Sequence, residues 1–151
     1  MRLDEYHGKR NFSRTSELKG EIGEGRGQRI YLIQEHHATH LHWDLRLEVE
    51  GVLRSWAVPK EPPEEVGVRR LAVEVEDHPL DYASFEGTIA KGEYGAGEVK
   101  IWDRGTYDPI EISGNKIIID ISGERLKGKY CLLRTQFRGE AKNWLFFKMK
   151  A

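Results

Sequence analysis

The chain has 151 residues, 32% of them charged, yet its formal net charge is only -1 and its pI lies near 6.6. A near-neutral chain carries no global basic field, so a nucleic-acid partner must be gripped by a local cluster or a metal. The length suits one domain burying roughly 70% of its unfolded surface, and a single cysteine, Cys131, excludes an internal disulfide and points to a reducing compartment.

Residues 1–29 read as a polar, glycine-rich arm with little apolar periodicity. Its start, "MRLDEYHGKR", is too polar for a signal peptide, and no apolar run approaches the ~20 residues of a membrane helix. These features predict a cytoplasmic protein with no membrane partner. From Ile30 to the end, short runs rich in β-branched and aromatic residues alternate with glycine or proline. "RIYLIQ", "LHWDLRLEVE", "VLRSWAVP", "RLAVEVEDH", "EVKIWDRG", "KIIIDI", "KYCLLRT" and "NWLFFKMK" read as strands. "HPLDYASFEGTIAKGEYGAGE" reads as a long loop between two of them. Helical 3.6 periodicity is absent. The expected fold class is all-β, a single small antiparallel barrel or sandwich over 30–151.

Four of the six histidines fall within "EHHATHLHWDLRLE": His36, His37, His40 and His42. Alternate strand residues share a face. His40, His42, Asp44, Arg46 and Glu48 therefore lie on one side, and Leu41, Trp43, Leu45, Leu47 and Val49 on the other. The apolar set should pack into a core. Two imidazoles and a carboxylate can hold a divalent metal and leave positions open for water and substrate. His42 and Asp44, two apart, can chelate together. His36 lies ~20 Å from His42 in an unbroken strand at ~3.3 Å per residue. Either His36 stays out, or the chain bends at His37-Ala38-Thr39. The bland reading is a solvated histidine-rich strand.

"RRLAVEVEDHP" alternates likewise. Leu71, Val73 and Val75 share one face; Arg70, Ala72, Glu74, Glu76 and His78 share the other. Pro79 limits the strand, which puts His78 at its end with Tyr82 four residues on. The two polar faces should meet in one groove if the strands are neighbours. "KGEYGAGEV" is neither a Walker loop nor a dinucleotide fingerprint and reads as a turn with close backbone approaches.

"QEHHATHLHWDLRLEVEGVLRSWAVPKEPP", "RRLAVEVEDHPLDYASFEGTIAKGEYGAGEVKIWDRGTY", "KGKYCLLRTQF" and "KNWLFFKMK" together resemble the 3′-phosphoesterase module of DNA ligase D, over about residues 9–149. The resemblance implies a small β-barrel-like domain with a crescent groove, and a metal, usually manganese with cobalt or zinc as substitutes. By position it implies His36, His42 and Asp44 as ligands, which selects the bent chain and leaves His40 out. It implies Arg46, His78 and Tyr82 as a phosphate clamp, and places Arg70, Glu76 and Lys60 near the site. In the arm, Arg10-Asn11-Phe12 resembles a family Arg-Asp-Phe, with Asn11 standing where the family has aspartate, and Glu17 matches a functional glutamate. Trp43 and Leu45 replace the usual tyrosine and phenylalanine on the core face. The implied activity is trimming of a DNA primer 3′ end, removing a terminal ribonucleoside and then the 3′-phosphate. The implied partners are a DNA or RNA/DNA primer-template end and the ligase and polymerase of an end-joining system. A mechanism that fits the residues and the resemblance alike would have one metal ion hold a phosphate oxygen and water attack directly, since no nucleophilic Ser or Cys motif is present.

Three other readings share parts of the pattern. His40-x-His42-x-Asp44 is similar to part of a metallo-β-lactamase-type motif, whose fold needs helical layers. His42-x-Asp44 with a distant histidine is similar to the two-histidine, one-carboxylate triad of iron oxygenases. A non-catalytic, metal-stabilised module that binds DNA ends would bind without changing them.

Overall fold

The computed structural model describes residues 29–80, 87–89, 97–135 and 139–150. The arm residues Arg10, Asn11 and Glu17, and also Tyr82, lie outside these described residues. Nine strands run in order: β1 (Arg29–His37), β2 (Leu41–Val49), β3 (Val52–Val58), β4 (Arg69–Pro79), β5 (Gly87–Ile89), β6 (Gly97–Ile112), β7 (Lys116–Gly123), β8 (Lys127–Arg134) and β9 (Asn143–Lys148). All strand pairings are antiparallel, in the order β1-β2-β3-β4-β9-β8-β7-β6, and β6 returns to β1 to close an eight-stranded barrel. No α-helix occurs among the described residues, and none there is long and apolar enough to cross a membrane.

Each expected strand forms, because β-branched and aromatic residues fit a pleated, half-buried surface. Two features go further than the sequence pattern. Residues 87–89 lie within the expected long loop but form β5, which pairs with the first residues of β6. β6 itself runs 16 residues, well past Gly105, because one edge serves β1 while the other serves β5 and then β7.

Tyr31, Ile33, Leu45, Leu47 and Trp56 point into the barrel, meeting Tyr107, Ile119, Tyr130, Trp144 and Phe146 from the far wall. Trp56 and Trp144 are fully buried and meet edge-to-face, centroids 5.8 Å apart at 82°, an arrangement worth ~1 kcal/mol beyond its area. The apolar set of β2 thus packs inward as alternation predicts, except that Leu41, at the strand's first position, is 42% exposed. The β2–β3 connection is a two-residue hairpin loop in which Glu50 and Gly51 both take positive φ (51° and 84°), the conformation that matches strand twist.

The barrel's outer wall at β1–β3 is itself buried. Gln34, His36, Asp44, Arg46, Glu48 and Ser55 are each at most 6% exposed and lie on the side away from the interior cluster. Buried polar groups on this scale require partners, and those partners build the site.

β4 corrects the alternation argument. Trp56 pairs with Glu74, and Ala72 belongs to the interior cluster, so the Ala72–Glu74 side faces inward and Leu71, Val73 and Val75 face outward. The polar set of β4 does not line a groove with that of β2. The pairing then slips: Ser55 opposes Val75, whereas Leu53 opposes His78. Two steps on β3 face three on β4, and this bulge reverses the phase. His78 thereby arrives on the outer face beside Arg46.

Candidate metal centre and phosphate site

The expected bend after His36 is a complete hairpin. Ala38, Thr39 and His40 form the loop between β1 and β2, and His36 pairs directly opposite His42. Side chains at directly opposed positions lie ~5 Å apart at Cβ, and the two imidazole centroids are 4.7 Å apart. Ala-Thr carries no Gly, Asn or Pro signature, which is why the sequence suggests a kink and no more. Gly97 makes room for the hairpin: a Cβ there would stand 2.2 Å from the His37 carbonyl oxygen. This is the close backbone approach expected of "KGEYGAGEV".

His36, His42 and Asp44 each offer a ligand atom, all within 4.8 Å of one another. His36 Nδ1 lies 3.4 Å from Asp44 Oδ2, and His42 Nε2 lies 3.2 Å from Asp44 Oδ1. His42 Nδ1 is 3.1 Å from the His40 carbonyl oxygen. A carbonyl can only accept, so this contact keeps a proton on Nδ1 and leaves Nε2, beside Asp44, as the nitrogen available to a metal. Metal-binding histidines are oriented in this way. The loop histidine His40 thus contributes its backbone. His37 projects to the opposite face and pairs with Glu35.

The electrostatics of the cluster are those of a cation site. Burial alone would raise the Asp44 carboxyl, but hydrogen bonds from His36 and His42 and the charge of Arg46 overcome it and hold the group well below the carboxylate range. Asp44 is therefore ionised at neutral pH. Its hydrogen bond raises His42, against the opposing effect of burial. Two imidazoles and an ionised carboxylate converging on one point fit a divalent ion such as manganese, zinc or iron.

Arg46 lies beside the triad and is 4% exposed. Nε donates to Gln34 Oε1 at 2.7 Å, Nη1 donates to Ser55 Oγ at 2.7 Å, and Nη2 lies 3.6 Å from Asp44 Oδ2. Ser55 Oγ in turn donates to the Leu53 carbonyl at 3.1 Å. Gln34 and Ser55 are both fully buried. They were not singled out from sequence, although Gln34 shares the strand phase of His36 and that periodicity was the available signal.

His78 Nδ1 lies 3.1 Å from both Arg46 Nη1 and the Glu76 carbonyl oxygen. Guanidinium only donates and carbonyl only accepts, so a single tautomer satisfies one contact. Burial, then the Arg46 charge, pushes the His78 imidazole down to about 4, leaving it neutral at pH 7.

Of the other expected residues, Glu76 is close enough for its charge to act on His78, whereas Arg70 and Lys60 stand apart. Arg70 pairs with Phe146 on β9, and its Nε donates to the Glu61 carbonyl at 2.8 Å. Glu76 meets His78 through its backbone carbonyl. Lys60 is exposed just beyond β3, whose last residue, Val58, pairs with Trp43 next to His42.

A family model for the DNA ligase D 3′-phosphoesterase domain matches residues 34–134. The multifunctional non-homologous end joining protein LigD of Pseudomonas aeruginosa is 45% identical over 155 residues, covering 98% of this chain and 18% of that protein. The multifunctional non-homologous end joining DNA repair protein LigD of Mycobacterium tuberculosis is 45% identical over 157 residues, covering 99% of this chain and 20% of that protein. The chain spans about a fifth of the length of these curated relatives. A family match over most of the strands, joined to that identity across nearly the whole chain, places this protein in the DNA ligase D 3′-phosphoesterase domain family.

Proposed function

We propose that this protein is a metal-dependent hydrolase that processes DNA 3′ ends for end-joining repair. It removes 3′-terminal ribonucleosides and 3′-phosphates from a primer strand and leaves a 3′-hydroxyl. The observation that carries this reading is one face of the barrel that brings His36, His42 and Asp44 within 4.8 Å of one another, with Arg46 reaching toward Asp44 and His78.

His36, His42 and Asp44 hold the metal, manganese in this reading with cobalt or zinc as substitutes; when bound it polarises a phosphate oxygen and lowers the pKa of a water. Arg46 binds the phosphate through its planar, permanently charged fork. Gln34 and Ser55 fix that fork before substrate arrives, so little side-chain ordering is left to do on binding. Ser55 is itself committed to Arg46 and to Leu53, so its hydroxyl is not the nucleophile and water attacks directly. With Nδ1 accepting from Arg46, His78 presents an Nε2–H to the leaving oxygen or to the equatorial phosphate oxygens. A dianionic phosphate offsets the Arg46 charge and raises the imidazole toward a value useful for proton donation. Tyr82 adds a hydrogen bond to the phosphate. Lys60, Glu76, Arg10 and Glu17 are assigned to substrate contacts beyond the scissile group; Arg70, bonded to the Glu61 carbonyl on the inward side of β4, is not among them. The near-neutral chain fits this scheme, since the grip on substrate is local.

The decisive experiment supplies a primer-template bearing a 3′-phosphate or a single 3′-ribonucleotide, with manganese. Conversion to a 3′-hydroxyl end is expected; absence of product with every divalent metal tried overturns the hydrolase reading. Binding of the ends with no turnover would favour the end-binding module instead.

A further inference from the structure

β6 contains a bulge that bears on the outer face beside Arg46. Ile33 pairs with Asp103 but Gln34 pairs with Ile101, so Trp102 is an extra residue on β6. Straight alternation along Ile101-Trp102-Asp103-Arg104 would put Arg104 on the same side as Trp102. Instead Trp102 joins the interior cluster, Asp103 is 1% exposed and bonds the interior Tyr31 hydroxyl, and Arg104 pairs with Leu32. Leu32 pairs with Arg46, and Arg46 with Ser55. Arg104, Leu32, Arg46 and Ser55 therefore form one row across four strands, on the face that carries the metal centre. Bulges re-aim side chains in this way next to active sites.

Arg104 is held in place by its neighbour. Asp103 Oδ1 accepts from the backbone N–H groups of Arg104, Glu124 and Arg125, and Oδ2 accepts from Leu126 N–H and the Tyr31 hydroxyl, at 2.7–3.0 Å. This buried anchor fixes the backbone of β6 at the bulge. The Arg104 side chain is exposed, and among the described residues no carboxylate, carbonyl or ring engages its guanidinium. Every other described arginine has such a group or a tyrosine hydroxyl as partner.

We propose that Arg104 binds the sugar-phosphate backbone of the substrate duplex two or three nucleotides from the scissile phosphate. Two strand spacings of ~4.8 Å separate its backbone from that of Arg46 by roughly 10 Å, and a DNA strand advances ~3.4 Å per nucleotide. An exposed guanidinium with no protein partner suits a phosphate that arrives with the substrate. This inference rests on the DNA end-processing reading above.

The test compares the wild-type chain with Arg104→Ala, both manganese-loaded, on a labelled duplex with a recessed 3′-phosphate and on a mononucleoside 3′-phosphate. The variant should bind the duplex about 3- to 10-fold more weakly at 50 mM salt. The slope of log affinity against log salt should shrink by about 0.9, one phosphate contact. Turnover of the mononucleotide should stay within about twofold of wild type. Unchanged duplex affinity and salt slope overturn the assignment, as does an equal loss on the mononucleotide, which would place the effect at the metal centre. If wild type binds the duplex but hydrolyses neither substrate with any divalent metal, the end-processing reading fails; the salt slope still decides Arg104.

Discussion

Strands β2 and β4 look alike in sequence, each alternating polar with apolar residues and each carrying a histidine, yet the fold uses them differently. β2 keeps one phase from His42 to Glu48, so its polar set stays on the outer wall and assembles the site. β4 starts in the opposite phase, sending Ala72 and Glu74 inward, and reverses at a bulge so that His78 reaches the site. Alternation sorts residues into two sets; it does not say which set faces the core, nor whether the sets survive to the strand's end.

The largest expected contrast is between the two strands' acidic residues. Asp44→Asn should abolish manganese binding and turnover, because the ligand charge is lost where Arg46 and two histidines converge. Glu74→Gln should leave turnover within about threefold while lowering stability by ~1–3 kcal/mol, the range for hydrogen bonds to charged groups. Glu74 pairs with Arg54 Nε at 2.8 Å and accepts from Trp144 Nε1 at 3.1 Å, inside the barrel's rim. Calorimetric titration with manganese, initial rates and thermal melts measure all three quantities. If Glu74→Gln were as inactive as Asp44→Asn, the assignment of β4's polar set to the interior would fail.

His78 is the exception on β4, and His78→Ala isolates it. The rate should fall about 10²- to 10⁴-fold, the usual range for a proton-transfer group, while manganese affinity stays near wild type. A variant that lost metal affinity as well would make His78 a ligand, beyond the cluster of His36, His42 and Asp44.

This contrast also marks how far the sequence could be read. The strands and the all-β class were legible, because strand composition and turn residues are local signals. The inward set of β2 was legible too, because Leu45 and Leu47 are unambiguously apolar. His36 opposite His42 required a hairpin at Ala38-Thr39-His40 that has no turn chemistry, and the family resemblance, not periodicity, favoured it. The phases of β4 and β6 depend on bulges at Leu53–Ser55 and Trp102, which arise from long-range register and leave no local trace. Arg46's partners Gln34 and Ser55 lie on separate strands, 12 and 9 residues away, and only the register brings them together.

A smaller effect is expected at Gly97, where β6 meets the hairpin. Gly97→Ala forces a Cβ against the His37 carbonyl, at a φ of +123° that side chains rarely adopt. The displacement falls one residue from His36. Manganese affinity should drop about 10-fold, within the range for groups that orient ligands, and turnover at saturating manganese should largely recover. If the affinity is unchanged, the hairpin adjusts without moving His36, and the close approach is structural only.

The subtlest consequence concerns the two histidines in metal-free protein, where β2 and β4 shift the same side chain in opposite directions. His42 is raised by Asp44, so its contribution to stability is present below its unfolded value of ~6.5 and lost as pH rises through its folded value. His78 is lowered to about 4 by burial and Arg46. Its contribution is therefore present above ~6.5 and lost as pH falls toward 4, where the unfolded chain binds a proton that the folded chain refuses. The two windows lie on either side of ~6.5. Between pH 6.5 and 5 the carboxylates contribute less, and the His78 slope is at most ~1.4 kcal/mol per pH unit. Urea midpoints of chelator-treated protein should fall across that interval, and His78→Gln should flatten the fall. A slope equally steep in the variant would mean that burial and the Arg46 charge together do not hold His78 neutral, and that the bulge in β4 has not brought the imidazole into that buried, cationic site.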